Sequence, residues 1–282
     1  MALEHCNTQV NAQGRELKEH GTSLFPIACY HDRLAQDTVP WHWHEEWEAI
    51  VVRQGIAVVS VDGQTYTRRA GEGIFINASA LHSVWDQGNT DCQLQSIVFH
   101  PRLIGGSIES IFWQNYVQPV LSNTGLKYVL LSPAVSWHQE AIRYILATWD
   151  ACAGEKAGYE IQIRSALSQF AFLLVCHCSA GQYPPAEKAL RSEGRIKAML
   201  NYIQEHYSEE LTTADIAGSA AISESECLRC FRGMLGTTPI QYLRQLRIQQ
   251  AAQLLASTGL KIAEVGALCG FQETSYFSKV FR

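Results

Sequence analysis

Residues 265–282 read VGALCGFQETSYFSKVFR, and residues 216–232 read IAGSAAISESECLRCFR, which is a related pattern. In each block a short helix with small residues leads into a tight turn that ends in an apolar residue. A second helix with polar residues on its outer face follows. Small residues let two helices cross closely, and a projecting polar helix fits the major groove of DNA. The two blocks therefore predict a pair of helix-turn-helix units.

The surrounding residues predict a wholly helical C-terminal part of the chain. We expect helices over residues 195–206, 214–220, 224–235, 239–256, 262–269 and 273–282. Thr212 or Thr213 can cap the second of these and Ser223 the third, because a side-chain oxygen there accepts from a free backbone N–H. Thr238-Pro239 opens the long fourth helix, since proline fits a first helical turn.

Several motifs in this region occur in the order and spacing of one known family. Gly270–Arg282 is close to the second-unit signature of the AraC/XylS family, and Gly236–Leu243 and Arg247–Ala251 match its connecting helix. Residues 195–282 thus resemble the DNA-binding domain of that family. The resemblance implies a sequence-specific transcription regulator on double-stranded DNA, with RNA polymerase as a further partner.

Three departures from the family pattern stand out. Ala221 occupies a turn position that is usually glycine, so that turn must tolerate a Cβ or take another conformation. Gly266 occupies a position that is usually alanine, which weakens its helix by about 1 kcal/mol. The sequence stops at Arg282, before the usual closing segment, so either it is truncated or its last helix is unusually exposed.

The resemblance also implies which side chains contact DNA. Those expected at the bases are Ser225, Leu228 and Arg229 in the first unit and Thr274, Ser275 and Lys279 in the second; those expected at phosphates are Ser223, Arg232 and Arg282. Arg229 can make a bidentate contact with guanine, whereas threonine and serine discriminate bases less sharply. We therefore expect the first unit to supply more of the base specificity. The alternative for these residues is a solvated polar face.

Short strands with tight turns are predicted between Pro40 and Phe99. Ile56–Val61 is rich in valine and isoleucine, and Asp62-Gly63 after it is a strong hairpin signal because both turn positions need positive φ. Further strands are expected over residues 49–53, 64–68, 74–76 and 92–99. Closely spaced antiparallel strands of this kind suggest a small barrel or jelly roll.

A histidine-rich motif lies in this region. His42, His44 and Glu48, followed by Gly55, resemble the first motif of the cupin fold, and Gly71 to His82 resembles the second without its central Pro-x-Gly. Because side chains alternate along a strand, His42 and His44 share a face, and Glu48 and His82 can join them. The set suits iron, manganese, nickel or zinc.

The alternative is that these four side chains and Trp43 line an effector pocket without metal, no cofactor being required. Tryptophans at positions 41, 43, 47 and 85 lie near the motif in sequence. Such rings either pack in the core or stack on a planar or amphipathic ligand, a saccharide among them.

Helical periodicity returns at residues 137–151 and 159–178. The second stretch is apolar on all sides, so it is either buried or an interface helix, and we favour a dimer interface that includes Leu167 and Phe170. Gly181 and Pro184-Pro185 then mark a boundary.

Composition limits the class of protein. The chain has 282 residues, a net charge of -5, and nine cysteines without a disulfide framework. Acidic residues outnumber basic ones up to residue 186 and nearly balance them afterwards, so charge alone does not indicate nucleic-acid binding. No apolar run is long enough for a membrane span and no signal peptide is evident, which predicts a cytoplasmic protein with reduced thiols. Cys227 and Cys230 are expected to be core residues rather than zinc ligands.

Together these observations predict a two-domain α+β protein. An N-terminal antiparallel β-barrel, cupin- or jelly-roll-like, takes residues 1–135 with an arm at its start, and a helical dimerisation segment takes residues 136–180. A linker over residues 181–192 leads to an all-α double helix-turn-helix domain over residues 193–282. The expected function is a homodimeric, effector-responsive DNA-binding regulator that is not an enzyme. A metal-dependent cupin enzyme and a regulator whose barrel only dimerises remain alternatives.

Overall fold

The computed structural model describes residues 3–4, 8, 10, 14–34, 39–88, 91–178, 187–235, 237–273, 277, 279 and 281. These residues form two compact units. The first takes residues 1–9 and 16–187, and the second takes residues 10–15 and 188–282. Across the described parts of the chain, each helix is too short or too polar to cross a bilayer.

The first unit is built on two β-sheets. Its strands are β1 Leu3–Glu4, β2 Ile27–Arg33, β3 Val39–His42, β4 Trp47–Gln54, β5 Ile56–Val61, β6 Gln64–Arg69, β7 Gly73–Ile76, β8 His82–Asp86, β9 Gln93–Phe99 and β10 Tyr128–Leu131. Among the described residues one sheet has the order β1-β2-β9-β4-β7-β10 and the other β3-β8-β5-β6. The predicted jelly-roll-like architecture is confirmed, but the sheets face each other as an open sandwich instead of closing into a barrel.

The hairpin between β5 and β6 forms as its sequence predicts. Asp62 and Gly63 both have positive φ, 51° and 72°, and Val61 pairs with Gln64 directly across the turn. A turn of this kind has the right-handed twist of the two strands that it joins, so the dipeptide sets their register.

The two faces of β4 lie in different cores. Ile50 and Val52 pack between the sheets with residues such as Val59. Ala49 and Val51 face the other way, into a core shared with the helices that follow the sheets. This alternation decides where Glu48 lies, because it shares the face of Ile50.

The helices of the first unit cover the outer face of the larger sheet. They are α1 Arg102–Gly105, a π-helical turn Trp113–Val117, α2 Gln118–Leu121, α3 Ser136–Gly154 and α4 Tyr159–His177. Leu167 and Phe170 of α4 are both 0% exposed within this core. The expectation that these two side chains form a dimer interface is therefore wrong. Ile161 and Phe172 lie on the exposed side of α4 instead, at 73% and 46%.

From residue 188 onward, the helices and strands described in the second unit are all helices. Its helices are α5 Glu187–His206, α6 Thr213–Ser219, α7 Glu224–Leu235, α8 Pro239–Ser257 and α9 Ile262–Leu268. Thr212 and Thr238 close capping boxes with Asp215 and Gln241 at the starts of α6 and α8. Helix α5 begins inside residues 181–192, the predicted linker, so that segment is helical from Glu187 onward.

Candidate functional site

Helices α6 and α7 form the first helix-turn-helix unit. After α6 the chain turns at Ala221, which has φ of 52°. The N–H of Ile222 donates to the carbonyl of Ala217 at 3.2 Å, and the N–H of Ala221 donates to the carbonyl of Gly218 at 3.0 Å. This bond pattern is a Schellman motif, which places one residue in the left-handed region. The turn therefore takes the left-handed conformation that glycine favours, although its residue is alanine.

The second helix-turn-helix unit repeats the same turn after α9. Gly270 has φ of 80°, and the N–H of Phe271 donates to the carbonyl of Gly266 at 2.9 Å. A Cβ on Gly270 would lie 2.8 Å from the backbone oxygen of Ser208, and one on Gly266 would lie 2.9 Å from the ring of Phe277. Both glycines are therefore required by close packing, which sequence comparison alone does not reveal.

In the first helix-turn-helix unit, most side chains predicted to contact DNA are exposed on or just before α7. Ser223, Ser225, Arg229 and Arg232 are exposed, whereas Leu228 is half-buried. The hydroxyl of Ser223 accepts from the N–H of Glu226 at 3.3 Å and so caps the helix. Cys227 and Cys230 are buried and burial raises the pKa of each thiol, as expected for core residues.

Glu226 is a neighbour of Arg229 that motif comparison did not single out. Its Oε2 pairs with Nη2 of Arg229 one turn along the helix, and its Oε1 lies 3.2 Å from Nη1 of Arg195. The ion pair raises the pKa of Arg229 further. The guanidinium expected to bind guanine is thus held by an acidic side chain on its own helix.

In the second helix-turn-helix unit, one of the residues predicted to contact DNA lies among the described residues. Lys279 is exposed, beyond the buried ring of Phe277. Thr274, Ser275 and Arg282 lie outside the described residues.

A buried cluster of histidines and glutamate lies between the sheets of the first unit. His42 and His82 are cross-strand partners on β3 and β8, and Glu48 projects from β4. With His44 they offer four ligand atoms that all lie within 4.8 Å of one another. The structure thus brings together all four residues that the cupin-like motif suggested.

The three imidazole rings are oriented by the backbone. Nδ1 contacts a carbonyl oxygen in every ring: His42 with Pro40 at 2.8 Å, His44 with Glu46 at 3.1 Å and His82 with Ala80 at 2.8 Å. A carbonyl oxygen only accepts, so Nδ1 carries the hydrogen in each ring. In a neutral ring Nε2 therefore has a lone pair.

Glu48 lies against two of these Nε2 atoms. Its Oε2 is 3.3 Å from Nε2 of His44 and 2.8 Å from Nε2 of His82. Burial raises the pKa of Glu48, but the hydrogen bonds with these two rings outweigh burial and hold it well below its usual value. The opposite balance applies to His42, where burial and the neighbouring His82 lower the pKa to about 3, so its Nε2 is unprotonated at neutral pH.

Two further side chains reach the cluster from the N-terminal segment. Oε2 of Glu16 lies 3.8 Å from Nε2 of His42 and 3.1 Å from Nε2 of His20. Burial raises the pKa of Glu16, but the hydrogen bond from His20 and the nearby imidazoles lower it overall. Neither residue belongs to the cupin-like motif, and no spacing rule pointed to them.

The tryptophans near the motif are dispersed in the fold. Trp43 lies between the two motif histidines in the chain and is half-buried. Trp47 packs edge-on against Phe75 and Phe99 on the opposite face of β4 from Glu48. Trp47 is therefore a core residue rather than part of a pocket with the histidines.

Comparison with known proteins matches the two parts of the chain to two different domain models. A helix-turn-helix domain model matches residues 216–282, and an AraC-like ligand binding domain model matches residues 24–171. The chain is 30% identical to the HTH-type transcriptional regulator YdeC of Bacillus subtilis, over 98% of this chain and 94% of YdeC. It is 24% identical to the HTH-type transcriptional activator RhaS of Klebsiella pneumoniae, over 93% and 92%. ToxT of Vibrio cholerae aligns with 92% of this chain and 93% of its own, at 16% identity and a TM-score of 0.42.

Proposed function

This chain belongs to the AraC-type helix-turn-helix transcriptional regulators, and we propose that its first unit senses a small-molecule effector held between the two sheets. The observation that carries the proposal is the buried cluster of His42, His44, Glu48 and His82. Convergent polar groups in an apolar interior are typical of a ligand site, and this one lies within the residues that match a ligand-binding domain.

A thermal-shift screen tests effector binding. We expect a polar ligand with hydroxyl or carboxylate oxygens to raise the melting temperature of the full chain, because it binds the folded state only. His82→Ala should remove the shift, whereas His31→Ala, an exposed histidine on β2, should keep it. A ligand that stabilises both variants equally would place the effector elsewhere.

For DNA recognition we propose that Arg229 reads a base, while Ser223 and Arg232 bind phosphates. The support is their exposure on or beside α7, the helix that follows the turn at Ala221. A band shift on the protein's own DNA site should show affinity that falls steeply with salt. Arg229→Ala should lower specific affinity by about 1–3 kcal/mol, and Arg33→Ala, an exposed arginine of the first unit, should not.

We also propose that the cluster holds a divalent metal ion. With the hydrogen on Nδ1 of each ring, the contacts of 2.8 and 3.3 Å between Glu48 Oε2 and the Nε2 atoms of His82 and His44 need either a second proton on the ring or a cation between the atoms. A proton on a ring satisfies one such contact, but the neutral His42 still has its own lone pair to place. Nδ1–H bonds to carbonyls are the usual support for histidine ligands. The donor set fits zinc, manganese, iron or nickel, and a bound ion would polarise an effector oxygen.

Metal analysis of the purified full chain distinguishes this site from a metal-free pocket. Wild type should bind about one Co²⁺ or Zn²⁺ per chain, and His82→Ala should bind neither tightly. Equal binding by wild type and by His82→Ala would exclude the cluster as the site. Assays with the metal-loaded protein would also detect turnover if the cluster were catalytic.

We further propose that the regulator is a homodimer and that the exposed side of α4 belongs to the interface. Ile161 and Phe172 are exposed there, and the ring of Phe172 lies beside Tyr116 of the π-helical turn. Phe112, in the same region of the chain, is 54% exposed. Sedimentation of Phe172→Glu should show a folded monomer. A folded dimer would place the interface on another surface.

A further inference from the structure

We propose that Glu16 is an additional ligand of the metal ion in the first unit, so that the ion holds the N-terminal segment, residues 16–26, against the two sheets. The inference rests on the proposed metal site and extends it to a residue outside the cupin-like motif. It assigns a binding role to the segment before β2, whose sequence indicates only an arm.

The first support is the position of the Glu16 carboxylate. Its Oε2 lies 3.8 Å from Nε2 of His42, the ring whose Nε2 does not contact Glu48. Two atoms that share an ion at about 2.1 Å each are at most about 4.2 Å apart. The pair therefore already lies within ligand separation.

The second support is charge. Three neutral imidazoles, Glu48 and a divalent ion together have a net charge of about +1, and a buried net charge is unfavourable unless it is paired. The side chain of Glu16 is 6% exposed, and those of His42 and His82 are 4% and 1% exposed. A second carboxylate at this place neutralises the site, which explains why an acidic side chain is buried among imidazoles.

The third support is that Glu16 is itself held in place. Nε2 of His20 lies 3.1 Å from its carboxylate, and Nδ1 of His20 lies 2.7 Å from the hydroxyl of Tyr30. Because an ionised carboxylate only accepts, Nε2 donates to it and Nδ1 accepts from Tyr30. The backbone N–H of Glu16 also donates to the carbonyl of Trp43 at 2.9 Å. Metal ligands are commonly oriented by such outer hydrogen bonds.

Linkage then predicts a property of the segment. If Glu16 ligates the ion only when the segment is docked, the ion stabilises the docked segment and the docked segment strengthens metal binding. Lys18 lies two residues after Glu16 in the same unit, so trypsin cleavage after Lys18 reports on docking. We expect Co²⁺ to slow cleavage of the full chain after Lys18 by tenfold or more, as measured by mass spectrometry of the fragments.

The decisive comparison uses a matched pair of charge-neutral variants, Glu16→Gln and Glu19→Gln. Glu19 is exposed in the same segment. We expect Glu16→Gln to weaken Co²⁺ binding by about 10–100-fold, to change the visible absorption of bound Co²⁺ and to abolish metal-dependent protection from trypsin. Glu19→Gln should behave as wild type in all three measurements, and circular dichroism checks that both variants are folded.

The outcomes separate this inference from the metal site itself. If wild type binds no Co²⁺, the proposed metal site is wrong and the role of Glu16 falls with it. If wild type and Glu16→Gln bind Co²⁺ with equal affinity and equal spectra, the metal site stands and Glu16 is not a ligand. Metal binding without protection after Lys18 would likewise overturn the fastening of the segment.

Discussion

The turn of the first helix-turn-helix unit makes a signed prediction for Ala221→Gly. Ala221 has φ of 52° and is exposed, so the substitution removes strain without opening a cavity. A non-glycine residue in the left-handed region loses about 1–2 kcal/mol relative to glycine. Glycine in turn stabilises the unfolded chain by about 0.4–1 kcal/mol through its entropy. The net expectation is a gain of about 0.5–1 kcal/mol in the free energy of unfolding of the second compact unit, which contains both helix-turn-helix units.

The equivalent change in the second helix-turn-helix unit, Gly270→Ala, should lower the free energy of unfolding. The left-handed conformation at φ of 80° is again unfavourable for alanine. In addition, the new Cβ would lie 2.8 and 2.9 Å from the backbone oxygens of Ser208 and Tyr207, which cannot rotate away. Strain and overpacking together should lower the stability by about 3 kcal/mol.

The chain offers an internal control for this pair. All seven tryptophans lie between positions 41 and 149, in the first unit, whereas helices α5 to α9 lie in the second unit. Tryptophan fluorescence therefore follows the first unit, and circular dichroism at 222 nm includes the second. We expect Ala221→Gly to raise the helical melting transition by about 2–8 °C and to leave the fluorescence transition unchanged. A fall in melting temperature for Ala221→Gly, or no change for Gly270→Ala, would refute this account of the turns.

Three further predictions concern other parts of the fold. Leu167→Glu should unfold the first unit, with loss of the cooperative fluorescence transition, because it buries an unpaired charge in a 0% exposed position; a folded monomer would restore Leu167 to an interface. Glu226→Gln should raise affinity for non-specific DNA about two- to fivefold at low salt, measured by fluorescence anisotropy, because it frees Arg229 from an acidic partner. Unchanged anisotropy would argue against α7 facing DNA. Gly266→Ala should lower the helical melting transition, since overpacking by about 1–3 kcal/mol exceeds a helix-propensity gain of about 1 kcal/mol; a higher transition would contradict it.

Features that depend on a few neighbouring residues were predictable from the sequence. The dipeptide Asp62-Gly63 sets its hairpin through φ preferences alone, and the strand before it has the predicted bounds. The caps at Thr212 and Thr238 need only a side chain within three residues. Such signals do not depend on the rest of the fold, so tertiary packing had little opportunity to override them.

Features decided by the packing partner were not predictable in the same way. Helix α4 is apolar on several sides, and periodicity cannot say which side meets the sheet and which remains exposed. Strand β2, Ile27–Arg33, was not predicted because both of its faces are largely covered, which hides the alternation of apolar and polar residues. Strand β8 was missed because it buries His82 and Ser83, where the strand pattern expects apolar side chains. The strand expected through His42 and His44 forms as β3 but ends at His42.

The histidine cluster combines both cases. His42, His44, Glu48 and His82 were found because they match the order and spacing of the cupin-like motif, although His44 lies in the connection between β3 and β4 and not, as expected, on one strand with His42. Glu16 carries no such signature, since an acidic residue in a polar stretch reads as a solvated surface group. Its neighbours in the fold indicate its role, because a carboxylate that is 6% exposed and surrounded by imidazoles needs a proton or a metal ion to neutralise its charge. Sequence motifs therefore locate the four clustered side chains, whereas the proximity of Glu16 to them emerges only from the folded structure.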